Sequence, residues 1–233
     1  MLKVEGIHTY YGTSYILQDV SLTVNEGEVV CVLGRNGVGK TTTIRSIIGL
    51  TPPREGNVYY KNQKINGLQP FHINRLGIAY VPEDRQVFPE LTVYENLFIA
   101  QRSNNGDNNA EWTIEKVFEL FPELGRIDKR LAGKLSGGEQ QMLTIARALV
   151  GNPELILLDE PSEGLAPKVV LNLLEALKVI KKSTSILLAE QNAVFALNLA
   201  DRGYILEKGR TVYEADAETI RSDKELQKKY LII

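Results

Sequence analysis

The sequence predicts an α/β fold built on a mostly parallel β-sheet. Three continuous apolar runs, "EVVCVLG", "LILLD" and "SILLAE", are bounded by turn residues, which is typical of strands covered on both faces. Helical patterns lie between them, in "KTTTIRSIIGL", "GEQQMLTIARALV" and "VVLNLLEALKVIKK". Because buried strands that alternate with helices form parallel sheets, these segments define the predicted core.

The middle of the chain differs from this core. Residues 88–150 contain several helical stretches and no convincing buried strand, so we predict one domain in which a helical subdomain, 88–150, interrupts an α/β core formed by 1–87 and 151–233. The polar, Asn-rich segment "QRSNNGDNNAEW" is predicted to be a surface loop. The C-terminal "DAETIRSDKELQKKYLII" is predicted to form one or two short amphipathic helices.

The composition excludes several classes of protein. Its 233 residues are 43% hydrophobic and 24% charged, as in an ordinary soluble globular protein. A net charge of −2 argues against non-specific nucleic-acid binding, though not against a local basic patch, and no nucleic-acid partner is expected. The N-terminus lacks the apolar region of a secretory signal, and the apolar runs are far shorter than the ~20 residues of a membrane helix. The single cysteine, Cys31, is predicted to be a buried strand residue.

The segment "GRNGVGKT", residues 34–41, matches the phosphate-binding pattern G-x-x-x-x-G-K-[ST] between a buried strand and a helix. Its glycines let backbone N–H groups surround phosphate oxygens, and the helix N-terminus adds partial positive charge. We expect Lys40 to contact the β- and γ-phosphates and Thr41 to hold Mg²⁺. The motif alone is compatible with kinases, GTPases and many ATPases. The predicted nucleotide-binding residues of this segment are Gly34, Arg35, Asn36, Gly37, Val38, Gly39, Lys40, Thr41 and Thr42.

The segment "LILLDEP" ends a buried strand with two carboxylates, Asp159 and Glu160. Ligands of open α/β sheets bind at the carboxyl ends of the strands. We therefore predict that Asp159 binds Mg²⁺, directly or through water, and that Glu160 polarises the attacking water as a general base. The alternative is that the acidic pair caps the following helix, an interpretation that the phosphate-binding loop in the same chain disfavours.

The segment "LSGGEQQMLTIARAL" predicts a second anion site. Ser136 is a favourable N-cap residue, and two glycines expose backbone N–H groups where a helix begins. A plain glycine turn before a surface helix is the alternative. In combination, the order of phosphate-binding loop, helical insertion, "LSGGEQQ" and "LLDEP" resembles the ATP-binding cassette family over the whole chain, with "LSGGE" as the signature motif of that family.

This resemblance implies a P-loop NTPase core with an N-terminal antiparallel β subdomain and the signature motif in the inserted helical subdomain. It also implies that two cassettes pair head to tail, as a homodimer or a heterodimer, and enclose two ATP molecules. Binding of ATP closes the dimer and hydrolysis reopens it. The signature residues expected to contact the γ-phosphate held by the other subunit are Ser136, Gly137, Gly138 and Glu139.

Two further positions are assigned through the resemblance. Tyr11, in "TYYG", matches the aromatic residue that stacks on adenine, with Tyr10 as the alternative. Glu83, in "VPEDRQVFPELTVYENL", stands where the family usually has a glutamine that senses Mg²⁺ and the transmembrane partner. Residues 85–93 are expected to line the groove that receives a coupling helix of the permease.

The corner "LLAEQN" carries another departure from the family pattern, because Gln191 stands where a histidine normally faces the γ-phosphate. Glutamine donates and accepts hydrogen bonds but does not become cationic, so we predict a neutral sensor that leaves base catalysis to Glu160. Glu190 and Asn192 are predicted to be a strand-end residue and a helix cap. Ala166 replaces the aspartate that normally ends the segment matching "PSEGLAP".

The segments "VPEDRQVFPELTVYENL", "DEPSEGLAP" and "AEQNA" together resemble the ATP-binding subunits of branched-chain amino-acid uptake systems, in particular the shorter of their two ATPases. The resemblance implies ATP hydrolysis with Mg²⁺, a second ATPase, two permease subunits and an extracytoplasmic substrate-binding protein. It places the chain peripherally on the cytoplasmic face of the inner membrane. Urea or short amides are alternative cargoes. A soluble cassette without a permease is the third hypothesis, although such proteins usually carry two cassettes or long coiled-coil insertions.

Overall fold

The computed structural model describes residues 1–101 and 111–231, so most of the Asn-rich predicted loop lies outside the described residues. The strands of the described ranges are β1 (Leu2–Tyr11), β2 (Ser14–Val24), β3 (Val29–Leu33), β4 (Glu55–Tyr60), β5 (Gln63–Lys64), β6 (Ile78–Val81), β7 (Leu155–Asp159), β8 (Ser185–Glu190), β9 (Arg202–Glu207) and β10 (Arg210–Asp216). The α-helices are α1 (Lys40–Ile47), α2 (Pro70–Arg75), α3 (Val93–Phe98), α4 (Ile114–Leu120), α5 (Pro122–Arg126), α6 (Gly137–Leu149), α7 (Pro167–Ile180), α8 (Ala193–Leu197), α9 (Ala217–Ser222) and α10 (Lys224–Tyr230).

The strands form two sheets. A four-stranded antiparallel sheet has the order β2-β1-β4-β5, and a six-stranded sheet has the order β10-β9-β3-β8-β7-β6. In the larger sheet every neighbouring pair is parallel except β10 with β9. The predicted α/β fold with a mostly parallel sheet and an N-terminal antiparallel subdomain is therefore confirmed.

The predicted buried strands form the middle of the larger sheet. All residues of β3, β7 and β8 are buried. Along β3, Cys31 and Leu33 join the core on the helix-covered face, whereas Val30 and Val32 join the core shared with the smaller sheet. This alternation explains why the runs are continuously apolar, since both faces of the sheet are covered. Burial raises the pKa of the Cys31 thiol to about 12, as expected for a buried strand residue.

Helices occupy the chain between β6 and β7 in the part that the structure describes, together with a short 3₁₀ turn at Ala132–Lys134 and one isolated bridge between Thr92 and Leu131. Helix α3 begins with a capping box of Thr92 and Glu95. This agrees with the predicted inserted helical subdomain, while the division at residues 87 and 150 stays a prediction. No helix in the described ranges is both long and apolar enough to span a membrane.

Candidate nucleotide-binding and catalytic site

The predicted site residues follow strands that end at one edge of the larger sheet. The register aligns Leu33 of β3 with Glu190 of β8, and Asp159 of β7 with Ala189 of β8. On the other side of β7, Val81 of β6 pairs with Leu158. The parallel register therefore brings the loop after β3 and the residues that follow β6, β7 and β8 together at this edge.

The loop between β3 and α1 has the shape that the glycine-rich motif predicts. Gly39 is the N-cap of α1 with φ 114°, and a Cβ at this position would lie 2.6 Å from the Leu17 side chain. Gly34 is equally restricted, since a Cβ there would lie 2.6 Å from the carbonyl oxygen of Leu206. Both glycines allow a tight turn that no larger residue fits. Arg35, which follows Gly34 within this turn, is exposed at the surface.

Lys40 is buried and lies at the centre of the site. Its Nζ donates hydrogen bonds to the carbonyl oxygens of Gly34, at 2.9 Å, and Arg35, at 3.0 Å. The same ammonium lies 3.0 Å from Oε1 of Glu160, whose side chain is only 8% exposed. Burial raises the pKa of Glu160 above its ordinary value, although the charge of Lys40 opposes this rise. The first residue of α1 and the residue after β7 are thus joined directly.

The Asp159 carboxylate receives two hydrogen bonds. Thr41 Oγ1 donates to Oδ1 at 2.9 Å, and the Tyr80 hydroxyl donates to Oδ2 at 3.2 Å. Burial raises the pKa of Asp159, and both hydrogen bonds oppose that rise. Thr41 and Asp159 supply the oxygen atoms that Mg²⁺ prefers, and their separation matches adjacent ligands of an octahedral ion with Mg–O distances of about 2.0–2.1 Å. Sequence reasoning missed Tyr80, because only the pairing of β6 with β7 places it beside this carboxylate.

Glu160 adopts a left-handed backbone conformation, with φ 47°. Its N–H donates to the carbonyl oxygen of Ala189 on β8 at 2.9 Å, which holds the residue against the neighbouring strand. Non-glycine residues rarely adopt this conformation, and strained residues of this kind cluster at functional sites. The geometry is consistent with a catalytic position rather than with a simple helix cap, since α7 begins only at Pro167.

The structure distinguishes the two tyrosines of "TYYG". Tyr10 is already engaged, because its ring stacks on Tyr15 with centroids 4.4 Å apart and the Arg54 guanidinium lies 4.4 Å from its centroid. Tyr11 is 41% exposed and lies beside α1. Burial raises the pKa of Tyr11, but hydrogen bonds from residues including Thr51 outweigh that effect and lower the pKa. Tyr11 is therefore the more exposed and less engaged ring, and its assignment as the adenine-stacking residue stays a prediction.

The signature residues begin α6. Ser136 and Glu139 form a capping box, in which the Ser136 N–H donates to Glu139 Oε2 at 2.7 Å. Gly137 faces the guanidinium of Arg85, which would have to move if the position carried a side chain. Arg85 also donates to the carbonyl oxygen of Glu163 at 2.7 Å, in the loop after Glu160. The sequence carried no signal for this link between the predicted permease segment, the signature helix and the catalytic loop.

The three neighbouring polar residues at the end of β8 differ in burial and in hydrogen bonding. Asn192 caps α8, because its side chain accepts a hydrogen bond from the Phe195 N–H at 3.0 Å, so the predicted helix cap is confirmed. Gln191 is half-buried at the carboxyl edge of β8. Glu190 ends the strand as predicted, but it is only 2% exposed and it bonds two loops, which the prediction did not include.

The remaining predicted positions lie at the rim of this edge. Glu83 is exposed and follows β6 by two residues. Ala166 occupies the N-cap of α7, where it makes no side-chain cap, and Pro167 begins the helix. Proline is well suited to that first helical position, so the helix starts without the capping side chain that an aspartate would offer.

Comparison with known proteins agrees with this geometry. The sequence model of the ABC transporter family matches residues 17–163. The chain is 41% identical to the high-affinity branched-chain amino acid transport ATP-binding protein BraG of Pseudomonas aeruginosa, over 99% of both chains. It is also 34% identical to the lipopolysaccharide export system ATP-binding protein LptB of Escherichia coli, over 99% of this chain and 96% of that one.

Solved structures show the same fold. The ADP conformation of an ATP-binding cassette of an ABC transporter matches with a TM-score of 0.82 and 29% identity, covering 98% of this chain and 97% of that one. A dimeric post-hydrolysis state of a cassette bound to ADP and phosphate matches with a TM-score of 0.79 and 28% identity, covering 93% and 99%. The fold and the site thus define a nucleotide-binding protein of the P-loop class. The chain belongs to the ABC transporter family, and it is an ATP hydrolase of that family.

Proposed function

We propose that the chain is the ATP-hydrolysing subunit of an importer for branched-chain amino acids. In this proposal it lies on the cytoplasmic face of the membrane, paired with a second cassette and two permease subunits, and an extracytoplasmic binding protein delivers the cargo. The similarity to BraG over nearly the full length supports the cargo. The similarity to LptB shows that the cassette fold itself serves other cargoes, so the cargo needs a direct test.

The observation that carries the proposed chemistry is the buried ion pair of Lys40 and Glu160 beside the Thr41–Asp159 hydrogen bond. Lys40 is positioned to bind the β- and γ-phosphates, while Thr41 and Asp159 fit Mg²⁺, which neutralises phosphate charge when bound. When a phosphate binds the Lys40 ammonium in place of Glu160, the Glu160 carboxylate becomes free to accept a proton from water.

Gln191 completes the proposed site on the side of β8. Its register position lies next to the start of the phosphate-binding loop, because Leu33 and Glu190 are paired. A neutral amide there donates to the γ-phosphate and accepts from water without changing charge. Glu83, level with the end of β7 on the opposite side, is the proposed Mg²⁺ and permease sensor.

The signature helix supports head-to-tail pairing. Ser136, Gly137 and Gly138 open a helix of 13 residues, whose N-terminus carries partial positive charge and unpaired N–H groups. In the proposed dimer these groups contact the γ-phosphate bound by the other cassette. Dimeric cassettes of similar fold support this arrangement.

A groove beside α3 is the proposed site for a permease coupling helix. It has a volume of about 450 Å³, and the residues that line it include Tyr80, Phe88, Ile99, Thr144 and Arg147. Phe88 and Ile99 are 50% and 53% exposed, so they offer apolar surface to an amphipathic helix. The groove includes Phe88 of the 85–93 segment and continues onto the residues that end α3 and onto α6.

The deciding experiment is ATP hydrolysis by the chain in lipid vesicles together with the permease subunits, second cassette and binding protein of a branched-chain amino-acid uptake system. Stimulation by the binding protein loaded with leucine, isoleucine or valine is the expected result. Stimulation by a binding protein loaded with urea or a short amide would instead identify that compound as the cargo. Hydrolysis without any membrane partner, together with no association with the permease, would favour a soluble cassette.

A further inference from the structure

Glu190 is a buried carboxylate that no proposed step of the reaction uses. It ends β8 with a relative exposure of 2%. Burial raises its pKa above the ordinary value, while hydrogen bonds from the Ser162 side chain and from the backbone N–H groups of Ser162 and Asn192 oppose the rise. A buried carboxylate is unfavourable unless it is well bonded, so its presence calls for a specific set of partners.

The two carboxylate oxygens bind two different loops. Oε1 accepts a hydrogen bond from the N–H of Ser162 at 3.0 Å, and Oε2 accepts one from the N–H of Asn192 at 3.0 Å. Ser162 lies two residues after Glu160, in the loop that leaves β7. Asn192 directly follows Gln191, in the loop that leaves β8. One side chain therefore fixes the backbone beside the proposed general base and beside the proposed γ-phosphate sensor.

A second contact joins the residue after β7 to the end of β8. The Glu160 N–H donates to the carbonyl oxygen of Ala189, the residue before Glu190. Glu160 is thus held from both sides of its left-handed backbone conformation, by Ala189 through its own N–H and by Glu190 through Ser162. A strained conformation persists only when its surroundings determine it in this way.

The chemistry of the side chain is specific. An ionised carboxylate only accepts, so it satisfies two N–H donors on opposite oxygens. A glutamine in the same place has one oxygen and one NH₂ group, and the NH₂ group would face one of the N–H donors. Capping of α8 does not explain the bond from Glu190 to the Asn192 N–H, because the Asn192 side chain already caps that helix.

We propose that Glu190 is a positioning residue that sets the relative placement of Glu160 and Gln191 by clamping the N–H groups of Ser162 and Asn192. The proposal rests on the catalytic roles proposed above for Glu160 and Gln191. It adds a residue to the site that does not touch nucleotide and acts only through the two loops.

The test is Glu190→Gln in the purified chain, with ATP binding and hydrolysis measured separately. A displacement of a catalytic group by about 1 Å reduces turnover by roughly 100-fold, so a loss of that order in kcat is expected. The affinity for ATP should fall far less than kcat, because the phosphate-binding loop and Tyr11 are untouched and only the proposed Gln191 contact is displaced. Wild-type kcat in a folded Glu190→Gln protein would overturn the proposal, and so would an equal loss of ATP affinity and kcat.

Asn198→Ala is the matched control on the helix that follows this corner. It removes the hydrogen bond from the exposed Asn198 amide to the carbonyl oxygen of Val194 but leaves both N–H donors to Glu190 in place, so kcat stays near the wild-type value. A loss of kcat equal to that of Glu190→Gln would show that any damage to this region slows hydrolysis, which contradicts a specific clamp.

A double variant separates this inference from the proposed function. If Glu160→Gln alone keeps full activity, the proposed base is wrong, whatever Glu190 does. If Glu160→Gln keeps a measurable residual turnover, adding Glu190→Gln should cause a smaller loss than it causes in the wild type, because only the placement of Gln191 is then left to disturb. A full additional loss would place Glu190 in a different step and overturn the clamp.

Hydrogen exchange in the wild-type protein tests the clamp even if Glu190→Gln fails to fold. The amide hydrogens of Ser162 and Asn192 should exchange slowly, at rates similar to those of the neighbouring strands. Exchange as fast as in exposed loops such as 35–37 would contradict the two hydrogen bonds.

Discussion

Lys40 and Glu160 form a buried ion pair, with Nζ 3.0 Å from Oε1, in which the proposed phosphate ligand and the proposed general base neutralise each other. The ammonium also binds the carbonyl oxygens of Gly34 and Arg35. A phosphate that binds Lys40 therefore competes with three oxygen atoms of the protein itself. In the proposed mechanism, this one side chain links the binding of ATP to the release of the base.

Replacing Glu160 by glutamine should separate ATP binding from hydrolysis. The variant keeps the shape of the site but removes the base, so turnover should fall by about 10²–10⁴-fold, the usual contribution of general-base catalysis. ATP affinity should not fall, because Lys40 loses a competing partner. Phosphate release and the ATP-dependent dimer on gel filtration measure the two effects. Glu175→Gln, at an exposed acid of α7, is the control. Unchanged turnover in Glu160→Gln would contradict the assignment of Glu160 as the general base.

Replacing Lys40 by alanine should weaken both the fold and nucleotide binding. Glu160 would remain buried without its ammonium, and breaking a buried pair costs about 3 kcal/mol of unfolding free energy. Adding Glu160→Gln should restore part of that loss in urea unfolding, because no unpaired charge remains. ATP affinity should stay low in both variants. Lys182→Ala, at an exposed position after α7, should change neither property. Unaltered ATP affinity in Lys40→Ala would contradict the phosphate-binding role.

Tyr11 and Tyr10 should respond differently to truncation. Stacking of a base on an aromatic ring contributes about 1–3 kcal/mol, so Tyr11→Ala should weaken ATP binding by roughly 5- to 150-fold. Tyr10→Ala removes the stack on Tyr15 and the contact with Arg54 but leaves the Tyr11 ring in place. Titration with a fluorescent ATP analogue compares the two variants. A larger loss in Tyr10→Ala would reverse the assignment.

Arg202 should be important for stability rather than for catalysis. It donates to Glu28 at 2.9 Å and to the carbonyl oxygen of Thr23 at 2.9 Å, which joins β9 of the larger sheet to β2 of the smaller one. Arg202→Met should lower the unfolding free energy by about 2 kcal/mol at neutral pH. Lys3→Met, at an exposed ion pair, should change it by about 0–1 kcal/mol.

The effect of Arg202→Met should depend on pH. Burial alone would raise the pKa of Glu28, but hydrogen bonds from Arg202 and from the Asn25 N–H bring it below the ordinary value. The stabilisation is therefore present above the unfolded-state pKa and is lost as pH falls through the lower folded-state pKa. Urea unfolding across this range should show the difference between wild type and variant shrinking in acid. A difference that grows in acid would contradict the ion pair.

Local patterns were sufficient for much of the site. The glycine pattern of 34–41 predicted the phosphate-binding loop, because a tight turn before a helix restricts the residue types that fit. The apolar run before Asp159 and Glu160 predicted a buried strand that delivers two carboxylates to the sheet edge, and β7 has that form. Asn192 was predicted to cap a helix from its residue type and position, and it does.

The contacts between these segments could be identified only from the folded chain. Tyr80 meets Asp159 only because β6 and β7 pair in parallel, and Arg85 reaches Gly137 only because the helical subdomain folds back onto the catalytic loop. Glu190 was predicted to be an ordinary strand-end residue, and its two backbone partners lie 28 and two positions away in the chain. By itself the sequence determined the fold class, the glycine-rich turn before α1 and the acidic strand end, since these depend on short-range geometry and on burial. Tertiary structure decided which side chains hold them in place, because hydrogen bonds across 28 or 79 residues leave no local pattern.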